Sequence, residues 1–154
     1  MNYNSQRRSK TLTQRAGSLF EWLYLKGQIK ASIAKFTGES RTIRFLDTVV
    51  ENMDDVIVEK LGVHPIRIEQ IVGTCGRMNY DKDFYPLQHR DKRRWMSVAI
   101  AMMDTVTNLS PIHVVQIGND YYTADGNHRV SVARALNKLY TDADVTRWTL
   151  PPHK

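Results

Sequence analysis

Acidic side chains are nearly missing from the first quarter of this chain, cysteine is nearly missing from all of it, and no long apolar run occurs anywhere. Each shortage excludes something. Cys75 is the single cysteine, so no internal disulfide framework staples the fold, and the cytoplasm is the expected setting. No apolar run approaches the roughly 20 residues that a membrane span requires. The basic start, MNYNSQRRSK, is not followed by the apolar core and small-residue cleavage site of a secretory signal, so none is expected. What is present, 154 residues of which 42% are hydrophobic and 25% charged, suffices for one soluble domain with a packed core.

The charge is unevenly placed. Residues 1–38 hold seven basic side chains, Arg7, Arg8, Lys10, Arg15, Lys26, Lys30 and Lys35, against Glu21 alone, while residues 39–154 hold fifteen of each sign. The formal +6 therefore resides in a basic arm on a neutral body. Such an arm is attracted to nucleic acid, an anionic membrane or an acidic partner, and it equally serves as a solvated face that aids solubility. Arg7, Arg8, Lys10 and Arg15 are the candidate nucleic-acid contacts. From Leu12 the arm has helical periodicity: Trp22, Leu25, Ile29, Ile33 and Phe36 recur at steps of three and four, Leu19 and Leu23 widen the stripe, and Gly38 is a stop signal. The stripe is expected to pack on the body, with a partner or a bilayer surface as the other covers, and Trp22 and Trp95 are expected as core anchors. Gly17 and Gly27 each weaken an isolated helix by about 1 kcal/mol, so contacts must help hold it.

Residues 39–62 form an acidic connecting segment with Asp47, Glu51, Asp54, Asp55 and Glu59. The ligand spacing of a calcium loop is absent, so a solvated helix face is expected, with Phe45, Val49, Val56 and Leu61 as its buried side. From residue 63 the character changes. VHPIRIEQIVG alternates as a strand does, and GTCGRMNYDKDFYPL has the composition of a long loop. Gly73, Thr74, Gly76 and Arg77 there offer backbone amides, a hydroxyl and a guanidinium, the groups that grip phosphate. Cys75 is a nucleophile only if a cation lowers its pKa, and a small buried filler is the expected role.

A helix is expected from about Gln88 to Asn108, with Trp95, Val98, Ala99, Met102, Val106 and Leu109 as its apolar stripe. Its first turn, HRDKRRW, sets Arg90, Lys92, Arg93 and Arg94 against the positive end of the helix dipole. Either an anion relieves that repulsion or Asp81, Asp83 and Asp91 do. Two short strands, Ile112–Ile117 and Tyr121–Ala124, read as a hairpin turning at Gly118, Asn119 and Asp120. A helix through Val130, Ala133 and Leu136 and a strand in TDADVTRW complete a small α+β domain over residues 63–154.

Between the hairpin and that helix lies Asp125-Gly126-Asn127-His128-Arg129. The first turn of a helix presents backbone N–H groups without internal partners, and its dipole favours negative charge. Gly126 permits a sharp turn and close approach of a ligand, Arg129 can grip phosphate oxygens bidentately, and His128 can donate a hydrogen bond. Asp125 can hold a metal-bound water or orient His128. The purely structural account makes Asp125 or Asn127 the N-cap, buries His128 and pairs Arg129 with an acid. Spacing alone leaves both accounts standing.

The DGNHR turn, after a strand and at the head of a helix running Val130 to Leu136, resembles the signature of the ParB/sulfiredoxin superfamily, and most closely its D-G-x-H-R members. The resemblance is strongest over residues 112–148, extends back to about His64 and is absent from the first 60. It implies a compact α+β fold of mixed sheet and packed helices that binds a nucleotide, ATP or CTP with Mg2+, its phosphates against the helix that begins at the motif. Phosphate ligands would be Gly126, Asn127, His128 and Arg129, with Thr74 and Arg77 approaching from the opposite loop. The chemistry implied, if any, is phosphoryl transfer or nucleotide hydrolysis. Sulfiredoxins carry their catalytic cysteine where this chain has Asn127, so that activity is not expected. ParB proteins, which bind CTP and DNA, carry glutamate there and a second arginine in place of His128. Free-serine kinases of the superfamily also read D-G-x-H-R and need a glutamate near the first strand, for which Glu69 is the nearest candidate. The catalytic set expected is therefore Asp125, His128 and Glu69, with Asp125 toward the metal. The alternative is a DNA-binding or regulatory module that acts through its basic arm. Deleting residues 1–38 is expected to abolish that DNA binding and to spare nucleotide binding.

Overall fold

The computed structural model describes residues 3–50, 55–76 and 78–151. Strands β1 (Arg44–Phe45), β2 (Ile57–Arg67), β3 (Ile71–Thr74), β4 (Ile112–Ile117), β5 (Asp120–Asp125) and β6 (Tyr140–Thr149) form one mixed sheet in the order β1-β3-β5-β4-β6-β2. Helices α1 (Tyr3–Thr37), α2 (Lys92–Met103) and α3 (Asn127–Ala135) share a core with it. The α+β architecture is the one expected. The hairpin of β4 and β5 is antiparallel as anticipated, and α3 stops before Asn137, which takes a left-handed φ of 52°.

Alternation of side chains along β4 explains how the sheet is covered twice. Ile112 and Val114 join Trp95, Phe20, Val130 and Val132 in the core beneath the helices. Val115 packs the other way, with Leu46, Val50 and Tyr122. The inner strand β4 is thereby covered on both faces, while β2 at the sheet edge stays largely exposed.

Four expectations change. The described residues of the acidic segment form no α-helix: Leu46–Thr48 is one 3-10 turn, Leu46 and Val50 rather than Val49 supply its buried side, and β2 already begins at Ile57. Glu59 lies in that strand and meets Arg147 of β6 at 3.3 Å, while Glu51 and Asp54 lie outside the described residues. The antiparallel partner β6, which pairs Thr149 with Ile57 and Tyr140 with Arg67 from far along the chain and is invisible to local pattern, makes a strand of β2. The supposed loop at Gly73-Thr74 is the strand β3, paired in parallel with β1 and β5. A side chain at 73 would strike the Arg44 carbonyl at 2.4 Å and the Tyr122 ring at 2.6 Å, so glycine there serves sheet packing. Helix α2 is shorter than expected, ending at Met103, with Val106 and Leu109 beyond it and exposed.

The fourth change concerns α1. The helix forms as expected and ends before Gly38 at a φ of +73°. It packs, however, through Ala16, Phe20, Leu23 and Ala34, whereas Trp22, Leu25, Ile29, Ile33 and Phe36 face away. Ala16, one turn before Phe20, lets the helix come close enough for Phe20 to meet Trp95 edge-on at 5.6 Å. Trp22 is therefore no core anchor, while Trp95 is, with no exposed surface and its indole N–H donating to Ser131.

Candidate functional site

The turn between β5 and α3 is built on Gly126, which caps α3 with φ 111° and ψ 18° and has no side chain to bond the first-turn amides. The expected cap from Asp125 or Asn127 does not form. Asn127 instead points inward: its Oδ1 accepts from the Thr123 hydroxyl and its Nδ2 donates to Thr74 Oγ1 at 3.3 Å. Thr74 Oγ1 in turn donates to the Thr123 carbonyl at 3.3 Å. This buried relay fastens the head of α3 to β5 and β3, and leaves the uncapped end of the helix facing outward.

That end forms part of a cleft of about 250 Å³. Asp125, Gly126, His128 and Arg129 line it on one side, Arg94 and Val98 of α2 on another, and Asn79, Tyr80 and Ser110 close it. The loop that brings Asn79 and Tyr80 is organised by Asp81. Its Oδ1 accepts from the backbone N–H groups of Asp83 and Tyr85, both at 2.9 Å, and its Oδ2 from Arg41. Phe84 is held at a left-handed φ of 62° with its ring buried and its carbonyl accepting from Ser131.

Within the cleft, His128 is oriented by Tyr80, whose hydroxyl shares a hydrogen bond with Nδ1 and whose ring meets the imidazole edge-on at 5.6 Å. Burial, assisted by Asp91, pushes the Tyr80 phenol above its ordinary pKa, so the hydroxyl keeps its proton. Arg129 is partly committed: Nη1 donates to the carbonyls of Ser110 and Pro111, and Nη2 to Asp125 at 3.2 Å. Nε–H and the second Nη2 proton remain, because a guanidinium carries five donors. Arg94 differs. Its guanidinium is exposed at the cleft and no carboxylate pairs with it among the described residues. The sequence pattern puts Arg94 in a cationic first turn that either an anion or Asp81, Asp83 and Asp91 would relieve, and does not connect it with the DGNHR turn. Packing of α2 on α3 makes that connection.

The other expected site residues divide. Thr74 and the Asn127 side chain are buried and hold the turn, so a phosphate would not meet either directly. Glu69 is displaced: it sits in the 3-10 turn Ile68–Gln70, pairs with Arg67 at 2.6 Å and faces a groove with Arg134 and Lys138 at the far end of α3. The helix between spans about 13 Å at 1.5 Å per residue, so Glu69 cannot act with Asp125 and His128. Arg77 lies outside the described residues. Asp125 is exposed at the cleft rim, and no group of three or more His, Cys, Asp or Glu that could hold a metal occurs among the described residues. Burial, with Asp47 nearby, pushes the Cys75 thiol up to about 11, as befits a filler and not a nucleophile. On α1, Arg8 is engaged by Asp104 at 3.2 Å and by Thr105, whereas Arg7, Lys10 and Arg15 have no acidic partner among the described residues.

Fold and cleft together define a mixed α+β domain with a cationic pocket at a strand-glycine-helix turn. Among solved structures the chain is similar to the crystal structure of sulfiredoxin from Arabidopsis thaliana, with 18% identity and a TM-score of 0.41, over 56% of this chain and 86% of that one. No protein-family model and no curated protein matches the chain.

Proposed function

We propose that the protein binds a nucleotide, ATP or CTP, with the phosphates seated between the head of α3 and Arg94. The observation that carries this reading is the Arg94 guanidinium, without a carboxylate partner among the described residues, at the same cleft as the uncapped first turn of α3. Asp125 is the one carboxylate lining that cleft, against Arg94 and Arg129. The helix end adds roughly half a positive charge. An anion with several oxygens satisfies all three sources, and His128, held by Tyr80, lines the same cleft. Magnesium suits the site as an ion carried by the nucleotide, because such ions take one or two carboxylates and otherwise phosphates and water, and Asp125 is the residue that would meet it. The reaction class that fits is phosphoryl transfer or nucleotide hydrolysis, which depends on positioning and charge stabilisation.

Calorimetric titration with ATP and CTP, with and without Mg2+, tests the reading. Arg94→Ala is the cleaner variant, since it breaks no internal bond, and should weaken binding about tenfold or more, the worth of a charge-assisted hydrogen bond. Arg129→Ala should weaken binding and also loosen the Ser110-Pro111 segment. Absence of binding to both nucleotides would overturn the proposal. If salt-sensitive DNA binding were then found and lost in R7E/K10E/R15E, the arm would carry the function instead.

A further inference from the structure

The outward face of α1 holds Trp22, Leu25, Ile29, Ile33 and Phe36, which are 54%, 59%, 53%, 55% and 93% exposed. At 3.6 residues per turn they form a single ridge about 21 Å long, on the side opposite Ala16, Phe20, Leu23 and Ala34. Five large apolar side chains in a row are more than the scattered exposure of an ordinary surface.

Asp83, which shares a groove with Trp22, is held by Lys30 and Arg41, so the unpaired charges around the ridge are positive among the described residues. Glu21 is the helix's one carboxylate among residues 1–38, and it turns to the body, where His89 and Lys92 hold it. Arg7, Lys10, Arg15, Lys26 and Lys35 meet no carboxylate among the described residues. The Lys26 ammonium lies 4.6 Å from the Trp22 ring centroid, at the ridge's edge. Arg90 and Arg93, in the turn that reaches Glu21 through Lys92, are likewise without carboxylate partners among the described residues.

From this juxtaposition we infer that α1 is a docking helix for an anionic phospholipid surface, with the ridge inserted at the headgroup boundary and the cations on the headgroups. The residues that pack on the body, Ala16, Phe20, Leu23 and Ala34, leave the ridge side chains exposed. A second copy of the chain fits poorly, because two such ridges would press unpaired cations together with no acid to meet them. Nucleic acid would answer the cations and leave the ridge in water. A membrane answers both. The inference is independent of the cleft.

Sedimentation of the full chain with vesicles tests it, using phosphatidylcholine alone and phosphatidylcholine mixed with phosphatidylglycerol. The chain should associate with the anionic vesicles and not the neutral ones. In a Trp148→Phe background, which removes the other partly exposed indole, Trp22 emission should shift to the blue and become shielded from acrylamide, Trp95 being already buried. I29E/I33E should lower association at least about tenfold, and R15E/K35E should lower it too. Both pairs alter surface positions, so the melting midpoint should stay that of the parent. Quenching of Trp22 in the Trp148→Phe chain supplies a readout that leaves the ridge itself unaltered. No association with anionic vesicles would overturn the inference, as would association that I29E/I33E leaves unchanged without shielding of Trp22. A concentration-dependent dimer formed without lipid and abolished by I29E/I33E would overturn it in favour of a second copy.

Discussion

A methyl group at position 126 would sit 2.5 Å from Cγ2 of Ile112, on a backbone whose φ of +111° already disfavours any side chain. The Ile112 side chain has almost no exposed surface and no room to withdraw. Gly126→Ala should therefore cost about 3 kcal/mol in denaturant unfolding, combining backbone strain with overpacking. A loss below about 1 kcal/mol would mean that the turn relaxes freely. The Cys75 thiol, pushed up to about 11, should react with a thiol reagent far more slowly at pH 8 than in denaturant. The sign of its linkage follows. Its ordinary value is 9, so burial of the neutral thiol favours the fold fully below pH 9, and the benefit fades as pH rises toward 11. At this scale the glycine of the turn is legible in the sequence, since D-G-x-H-R announces a sharp strand-to-helix reversal. Inward-turned Asn127 is not, because its partners Thr74 and Thr123 come from two strands that only the sheet brings together.

The loop after β3 behaves as an element in its own right, anchored by Arg41 on Asp81 and Asp83, both at 2.6 Å. Asp81 is nearly buried, so Arg41→Ala leaves a carboxylate stranded among backbone amides and should destabilise by about 3 kcal/mol. Thermal melts of the variant would show it. The Asp83 carboxyl, despite the opposing effect of burial, lies below its ordinary 3.8 because Arg41 and Lys30 hold it ionised. A depressed carboxylate stabilises above its unfolded value, so this contribution should be intact at pH 5 and disappear as pH falls below about 4. Melts across that range should show a shallower acid loss in Arg41→Ala. Elements with strong periodicity, α1, α3 and the β4-β5 hairpin, are legible in the amino-acid pattern by itself. For α1 the stripe with the largest side chains points to the wrong face, because small residues allow closer packing than large ones and periodicity does not say which side the body occupies. The first half of β2 is not legible, its conformation being fixed by β6.

At the scale of the molecule, arm and body are one unit in the core: Phe20 and Leu23 of α1 lie with Trp95, Val130 and Ile112. Removing residues 1–38 would strip that core, so the deletion cannot separate arm from cleft as the uneven charge suggested. Phe20→Ala alone should cost about 3 to 4 kcal/mol and reduce nucleotide binding only through loss of folded protein. If the deletion instead left a cooperative unfolding transition, the shared core would be dispensable. The cleft is half legible for the same reason. One wall is contiguous in sequence, while Arg94 and Tyr80 arrive through α2 and the Asp81 loop.

The sheet order has a bearing on how the chain is made. β6 lies between β4 and β2, with Thr149 opposite Ile57 and Ala143 opposite Ile112. During synthesis β2 therefore emerges long before the strand that will flank it, carrying Ile57, Val58 and Val63 with nothing to pair with. Until Tyr140–Thr149 leaves the ribosome the sheet has a gap where an inner strand belongs. The nascent chain must keep that edge apart from its neighbours on the polysome, and chaperone engagement should persist until β6 slots in.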